Sequence, residues 1–255
     1  MKIALIQYSP VWENIDANLE SLTYKINQLE SDVDLVVLPE MFSTGFSMNP
    51  NPIAETENGK AVQWMIEIAK NKQIAITGSL IIEEIKSYYN RLFFVFPDGS
   101  YKTYNKKHLF SLAGEEKIYE PGSEKLIVSY KDWNICPLIC YDLRFPVYSR
   151  IVDEAYDLLI YVASWPDQRI YAWDSLLKAR AIENMSFAVA VNRSGEDAFK
   201  NNYSGHSQVI DYMGQYLQEP VIDEKTVVVT LEKEGLVKAR NRFAFLNDAD
   251  KFELS

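Results

Sequence analysis

Three short segments carry a reactive side chain at the point where a strand is predicted to end. These side chains are Glu40, Lys106 with its neighbour Lys107, and Cys140. A carboxylate at the rim of a buried strand is a common active-site placement, and a lysine near a carboxylate can stabilise an oxyanion. A cysteine that a strand delivers into a sharp turn has the geometry of a nucleophile elbow.

Each segment taken alone also fits an ordinary structural role. Glu40 could be a surface acid, the two lysines could lie in a solvated loop, and Cys140 could be an inert core residue. Cys136, inside the same strand, is interpreted as a packing residue. The spacing leaves open a dyad of Cys140 with His108. A thiol–disulfide redox protein is disfavoured, because three residues rather than two separate the cysteines.

Composition and charge exclude several classes of protein. The chain has 255 residues with 47% apolar and 24% charged, which suits a globular protein with a substantial core. Its formal net charge of −10 argues against nucleic acid or an anionic membrane as a partner, since both require a basic face. Two cysteines exclude a disulfide framework and favour a cytoplasmic location, and two histidines disfavour a histidine-rich metal site. No signal peptide or membrane span is predicted.

Strands and helices alternate along the chain, as hydrophobic periodicity indicates. We find no linker or repeat, so the prediction is a single domain over residues 1–255, with an α/β (α+β) layered sandwich. Helices are predicted at 16–29, 61–70 and 173–184. Strands are predicted at Lys2–Gln7, 34–38, 74–82, 89–96, 101–104, 126–130, Trp133–Ile139, 158–162, Phe187–Asn192, 207–210 and 226–231.

Three motifs in chain order resemble the nitrilase (carbon–nitrogen hydrolase) superfamily. They are Leu-Pro-Glu ending at Glu40, Lys-Lys-His-Leu starting at Lys106, and Cys-Tyr-Asp-Leu-Arg-Phe-Pro starting at Cys140; segment 179–184 also resembles a helix of the family. The resemblance implies a Glu–Lys–Cys triad. Cys140 would be the nucleophile, Glu40 the general base, and Lys106, which the Lys-x-His pattern selects over Lys107, the oxyanion-stabilising cation. It implies no metal and no organic cofactor.

The resemblance also suggests residues around the triad. Glu115 would support the site, although the adjacent Glu116 fits almost as well and both could be plain loop acids. A small anionic amide substrate requires a positive group, for which Arg144 and Arg169 are candidates. Either arginine could instead be a structural ion-pair partner, which is the default interpretation for Arg144. The suggested pocket walls are Tyr141, Trp165 and Phe42, with core packing as the alternative for Phe42.

Within the superfamily, segments 40–48, 163–166 and 245–252 look most similar to the omega-amidase branch. That branch hydrolyses the terminal amide of 2-oxo acids such as 2-oxoglutaramate and 2-oxosuccinamate through a cysteine thioester and water. The alternatives are a deaminated-glutathione amidase, another aliphatic amidase, or a catalytically silent binding module, which the intact triad disfavours. The resemblance further implies a four-layer α-β-β-α sandwich that pairs as a homodimer.

Overall fold

Two mixed β-sheets with helices on their outer faces form the fold. The computed structural model describes residues 1–152, 155–250 and 252. The rest of the predicted domain 1–255 lies outside the described residues, and so does Lys251 of the segment 245–252.

The bounds of the elements are as follows. The first sheet contains β1 (Lys2–Gln7), β2 (Leu35–Val37), β3 (Ala75–Glu84), β4 (Ser87–Val95), β5 (Tyr101–Asn105) and β13 (Lys225–Thr230). The second contains β6 (Val128–Tyr130), β7 (Trp133–Ile139), β8 (Leu158–Ala163), β9 (Phe187–Asn192), β10 (Ser194–Glu196), β11 (Asn202–Ile210) and β12 (Tyr216–Ile222). The helices are α1 (Ile15–Asn27), α2 (Lys60–Lys72), α3 (Pro146–Ser149), α4 (Ile170–Glu183) and α5 (Lys233–Phe243). In the first sheet the strand order is β13-β1-β2-β3-β4-β5, and in the second it is β10-β11-β9-β8-β7-β6, with β12 paired to β11.

The central strands are apolar on both faces because each sheet is covered twice. In β1, Ile3 and Leu5 pack towards the second sheet, whereas Ala4 and Ile6 pack towards α1 and α2. This division follows the period of two along a strand, and it explains why these strands are continuous apolar runs.

Helices α1 and α4 each bury one stripe, as an amphipathic helix does. Leu19, Leu22 and Ile26 of α1 lie against the first sheet, and Trp173 and Leu177 of α4 belong to the core of the second. The layers are therefore helices, sheet, sheet and helices, and the predicted four-layer α-β-β-α sandwich is confirmed. No helix within the described residues is long and apolar enough to cross a membrane.

Parallel pairing at the centre of each sheet fixes where the chemistry can lie. Strands β1, β2 and β3 are parallel, and so are β7, β8 and β9. The carboxyl ends of β2, β7 and β8 lead directly into Glu40, Cys140 and Ser164. Loops at this end of a parallel sheet are the usual location of active sites in α/β proteins.

Strands β12 and β10 and helix α5 were not predicted. Strand β12 lies at the sheet edge and contains Pro220 after the adjacent polar residues Gln218 and Glu219; proline is tolerated at an edge but weakens the strand pattern. Strand β10 is only three residues long. Helix α5 buries only Leu236, so its apolar stripe is too weak to identify.

Candidate active site

The corner after β7 presents Cys140. Its φ of +44° lies in the left-handed region, which is strained for a residue with a side chain and persists only where the surroundings impose it. A short 3-10 helix, Cys140–Arg144, follows at once, and Pro146 then begins α3. The first N–H groups of such a helix have no partner inside the helix, so the N–H of Tyr141 is available to bind an oxyanion.

A second corner, after β2, presents Glu40, which is completely buried. The following residue, Met41, has a φ of +45°. One carboxylate oxygen of Glu40 accepts hydrogen bonds from Nζ of Lys106 at 2.7 Å and from Nδ2 of Asn90 at 2.8 Å. The other accepts from the backbone N–H of Ser164 at 2.9 Å. These three donors hold the carboxylate in one orientation.

Lys106 lies between two carboxylates. Its Nζ is 2.7 Å from Glu40 and 2.9 Å from Glu115, and all three side chains are fully buried. Lys107 is partly exposed, and none of the ion pairs within the described residues joins it to Glu40 or Glu115. The structure thus brings Lys106, and not Lys107, to the site.

Glu115 joins the cluster, whereas Glu116 is exposed. In addition to Lys106, the Glu115 carboxylate accepts the backbone N–H of Phe110 at 2.6 Å and Nδ2 of Asn90 at 3.2 Å. Of the two glutamates that the sequence could not separate, the geometry places Glu115 at the site.

Burial sets the protonation states. It raises the pKa of Cys140 well above its ordinary value, and Glu40 adds to the rise while Lys106 opposes it. The resting side chain is therefore a thiol that needs a base. Burial alone would lower the pKa of Lys106, but Glu115 and Glu40 outweigh burial and raise it, so Lys106 stays cationic. Burial raises the pKa of Glu115, and Lys106 counteracts the rise.

His108 has a different partner. Its Nδ1 lies 2.8 Å from Asp142, and its ring stacks on Phe145 with centroids 3.8 Å apart. The groups that act on the pKa of the Cys140 thiol are Glu40, Lys106 and the backbone N–H of Ser164. The geometry thus supports a glutamate base in place of a cysteine–histidine dyad.

A cavity of about 460 Å³ opens onto Cys140 and Lys106. Tyr141 and Trp165 line it, as the sequence suggested, together with Arg144 and Arg169. The guanidinium of Arg144 lies 4.9 Å from the ring centre of Trp165, and that of Arg169 lies 5.1 Å from the ring centre of Phe110. Neither arginine forms an ion pair within the described residues. The alternative of a structural ion pair for Arg144 therefore finds no partner there.

Phe42 is the exception among the suggested wall residues. It is fully buried in the core between the first sheet and its helices, with its ring 5.8 Å from that of Trp64. The described residues that line the cavity do not include it. Phe42 follows the strained Met41, which turns the chain back into the core, and the interpretation of Phe42 as a pocket wall is corrected to core packing.

Sequence reasoning missed Asn90, Ser164 and Asp142. Asn90 is a fully buried polar residue within β4 that contacts both glutamates, and an amide within a predicted strand was the available signal. Ser164 acts through its backbone N–H, which no residue type reveals. Asp142 stands in the cysteine motif, and its contacts are distant in sequence.

No cluster of three or more histidine, cysteine, aspartate or glutamate side chains within the described residues is placed to hold a metal ion.

Comparison with known proteins agrees with this geometry. The sequence profile of the carbon–nitrogen hydrolase family matches residues 2–241. The chain is 38% identical to omega-amidase YafV of Yersinia enterocolitica over 257 residues, covering 100% of this chain and 98% of the relative. It is 30% identical to a 2-oxoglutaramate amidase of Bacillus subtilis, covering 98% and 97% of the two chains.

A solved structure is also similar. A CN-hydrolase superfamily protein of Xanthomonas campestris superposes with a TM-score of 0.97 at 40% identity, covering 100% of this chain and 99% of the other. That crystal structure has an arsenic adduct in its active site. The match of sequence profile, relatives and fold confirms the resemblance: the chain belongs to the carbon–nitrogen hydrolase (nitrilase) family and is an enzyme of that family.

Proposed function

We propose that this amidase of the nitrilase superfamily is an omega-amidase, which hydrolyses the terminal amide of 2-oxo dicarboxylic acid monoamides such as 2-oxoglutaramate and 2-oxosuccinamate. One observation carries the proposal: a single cavity joins the buried cluster of Glu40, Lys106 and Cys140 to two guanidinium groups that have no carboxylate partner within the described residues. The names of the similar proteins support the same substrate class.

The first half of the reaction uses the buried cluster. Glu40 takes the proton of the Cys140 thiol, and the sulfur attacks the amide carbon. The oxyanion that forms is stabilised by the ammonium of Lys106 and the N–H of Tyr141. Glu40 then gives its proton to the departing ammonia, and the acyl group remains on sulfur as a thioester.

The second half regenerates the thiol. Glu40 removes a proton from a water molecule, whose oxygen attacks the thioester carbon. The same oxyanion donors stabilise this second intermediate. Glu40 returns the proton to the leaving sulfur, and the 2-oxo acid is released. Glu115 keeps Lys106 cationic and in place throughout, because it contacts Nζ with both carboxylate oxygens.

The two arginines provide the positive charge that an anionic substrate requires. A protein of net charge −10 repels such a molecule at long range, so the pocket must supply a local positive charge. Arg144 and Arg169 supply it at the cavity wall, where stacking on Trp165 and Phe110 fixes each fork in place for a carboxylate.

A substrate panel read out as released ammonia tests the proposal. We expect turnover of 2-oxoglutaramate to exceed that of deaminated glutathione and of the neutral amide butyramide. Arg144→Gln or Arg169→Gln should raise KM for 2-oxoglutaramate by about 10-fold or more and leave butyramide turnover within about twofold. The exposed Arg242, on α5, serves as the matched control as Arg242→Gln. Preferred turnover of deaminated glutathione or of butyramide would contradict the proposal.

A further inference from the structure

Asp142 links the two segments that carry the nucleophile and the lysine. It lies two residues after Cys140 and is completely buried. One of its carboxylate oxygens accepts the backbone N–H of Ile139 at 3.0 Å, which is the last residue of β7. The other accepts the backbone N–H of His108 at 3.0 Å and faces Nδ1 of the same histidine at 2.8 Å.

A tyrosine completes this link on the lysine side. The hydroxyl of Tyr104 donates to Asp142 at 2.7 Å and accepts the backbone N–H of Lys107 at 3.1 Å. The chain is thus tied to Asp142, directly or through Tyr104, at both residues that follow Lys106. The backbone N–H of Lys106 itself donates to the carbonyl of Asn90 at 3.0 Å.

Two aromatic rings pack against the histidine in this link. Its ring lies nearly parallel to that of Phe145, with an interplanar angle of 9°, and the ring of Tyr148 meets it edge-on at 5.1 Å. Phe145 directly follows the short helix that Cys140 begins. His108 therefore contacts the turn after the nucleophile twice, through Asp142 and through Phe145.

We propose that Asp142 and His108 act as one positioning pair, which fixes the separation of the Cys140 sulfur from Lys106 Nζ during turnover. Neither residue lines the cavity in the described structure, so both act through other residues. The left-handed backbone of Cys140 needs such support, because a strained corner relaxes when its surroundings no longer impose it. The inference rests on the proposed amide hydrolysis at Cys140.

Steady-state kinetics on 2-oxoglutaramate test the pair. A misplacement of about 1 Å costs roughly 100-fold in rate, so Asp142→Ala should lower kcat by about 100-fold and leave KM within about threefold. His108→Ala should lower kcat by about 10-fold. His108→Asn should recover most of that loss, because its amide can donate near the position of Nδ1. The double variant should match Asp142→Ala alone, since two residues that act as a unit are not additive.

Asp157 provides the matched control. It accepts the N–H of Asn134 at 3.0 Å near the start of β7, and it pairs with Lys233 at 2.9 Å, at the opposite end of the strand from Cys140. Asp157→Ala should lower Tm as Asp142→Ala does but leave kcat within about twofold. Equal kcat losses in these two variants, or kcat effects that multiply in the double variant, would overturn the pairing. If Asp142→Ala does not fold, the His108 variants decide in the same way.

A second readout separates this inference from the proposed function. Alkylation of Cys140 by iodoacetamide, followed by mass spectrometry, needs no substrate. Its rate should change by about 10-fold or more in Asp142→Ala and stay unchanged in Asp157→Ala. If the unmodified enzyme releases no ammonia from 2-oxoglutaramate yet the alkylation rates differ in this way, the substrate is wrong and the positioning pair stands. An unchanged alkylation rate in a fully active enzyme would overturn the pair alone.

Discussion

The two cysteines of this chain lie four residues apart on and just after one strand, and the structure gives them opposite properties. Cys136 lies inside β7 with no exposed surface, and burial raises its pKa to about 12. Cys140 stands where β7 ends, is 8% exposed, and faces Glu40 and Lys106.

The difference lies in the surroundings and not in the thiol. Burial raises the pKa of both side chains, so neither is a thiolate at rest. Cys140 has Glu40 and Lys106 beside it and a cavity in front of it, whereas the charges that act on the pKa of Cys136 are those of Lys125 and Asp142. We therefore expect Cys140 to act as a nucleophile through a proton acceptor from the opposite sheet, and not through a low pKa of its own.

Removing the two sulfurs gives the largest expected contrast. Cys140→Ala should lower release of ammonia from 2-oxoglutaramate by about 10⁴-fold or more, because no nucleophile remains. Cys136→Ala should stay within about twofold. Thermal unfolding followed by circular dichroism checks that both variants fold. Retained turnover in Cys140→Ala would show that Cys140 is not the nucleophile, and the proposed difference between the two cysteines would be wrong.

Removing the cation tests what distinguishes Cys140. Lys106→Gln should lower kcat by about 100- to 1000-fold, as loss of an oxyanion donor does. Lys107→Gln, one residue along and partly exposed, is the matched control and should stay within about threefold. The glutamine keeps a donor near Glu40 and Glu115, which limits the loss of stability from breaking a buried ion pair. Equal losses of kcat in the two variants would show that Lys106 is wrongly assigned as the catalytic lysine.

Thiol alkylation tests the comparison without a substrate. Iodoacetamide at pH 8 should modify Cys140 at least about 100-fold faster than Cys136, because only Cys140 borders the cavity. Peptide mapping by mass spectrometry identifies the modified residue. Glu40→Gln should change the rate of the reaction at Cys140 and leave the rate at Cys136 as it is. Faster modification of Cys136 would reverse the assignment.

Alkaline pH gives the smallest effect, and it concerns Cys136. Its pKa is about 12 in the folded protein against an ordinary 9.0, so above pH 9 the unfolded chain loses this proton while the folded chain keeps it. The free energy of unfolding is therefore unaffected by this group below pH 9 and falls as pH rises towards 12. Between pH 9 and 10.5 the fall should be about 1 to 2 kcal/mol larger for the unmodified protein than for Cys136→Ala, measured by urea denaturation. Equal falls in the free energy of unfolding would show that Cys136 ionises as freely in the folded state as in the unfolded state.

The sequence was sufficient to predict the parts of the site that the types of side chain and their motifs indicate. Glu40, Lys106 and Cys140 each end or follow a predicted strand and were assigned through three motifs that resemble the family, and the layered sandwich followed from alternating strands and helices. It could not separate Glu115 from Glu116. The two residues are adjacent in one short 3-10 turn, and only the fold decides which of them is buried. The sequence left Phe42 open between the pocket wall and the core, because residue types do not reveal the left-handed turn at Met41.

Other features depend on contacts across long stretches of chain. The N–H of Ser164 reaches Glu40 over 124 residues, and Asp142 reaches His108 over 34. A backbone donor has no signature of its own, and a carboxylate in a motif does not reveal its partner. These contacts follow from the packing of one sheet on the other, which local periodicity does not encode.

The division of the active site between the two sheets has a consequence for refolding. Glu40 and Lys106 follow strands of the first sheet, whereas Cys140 and Ser164 follow strands of the second. A chain in which both sheets have formed but have not yet docked holds every one of these residues and has no catalyst. Long-range contacts of this kind form late, because closing long loops must precede them. Recovery of activity after dilution from denaturant should therefore lag behind recovery of the far-ultraviolet circular dichroism signal. The time course of enzymatic turnover then reports when the two sheets dock.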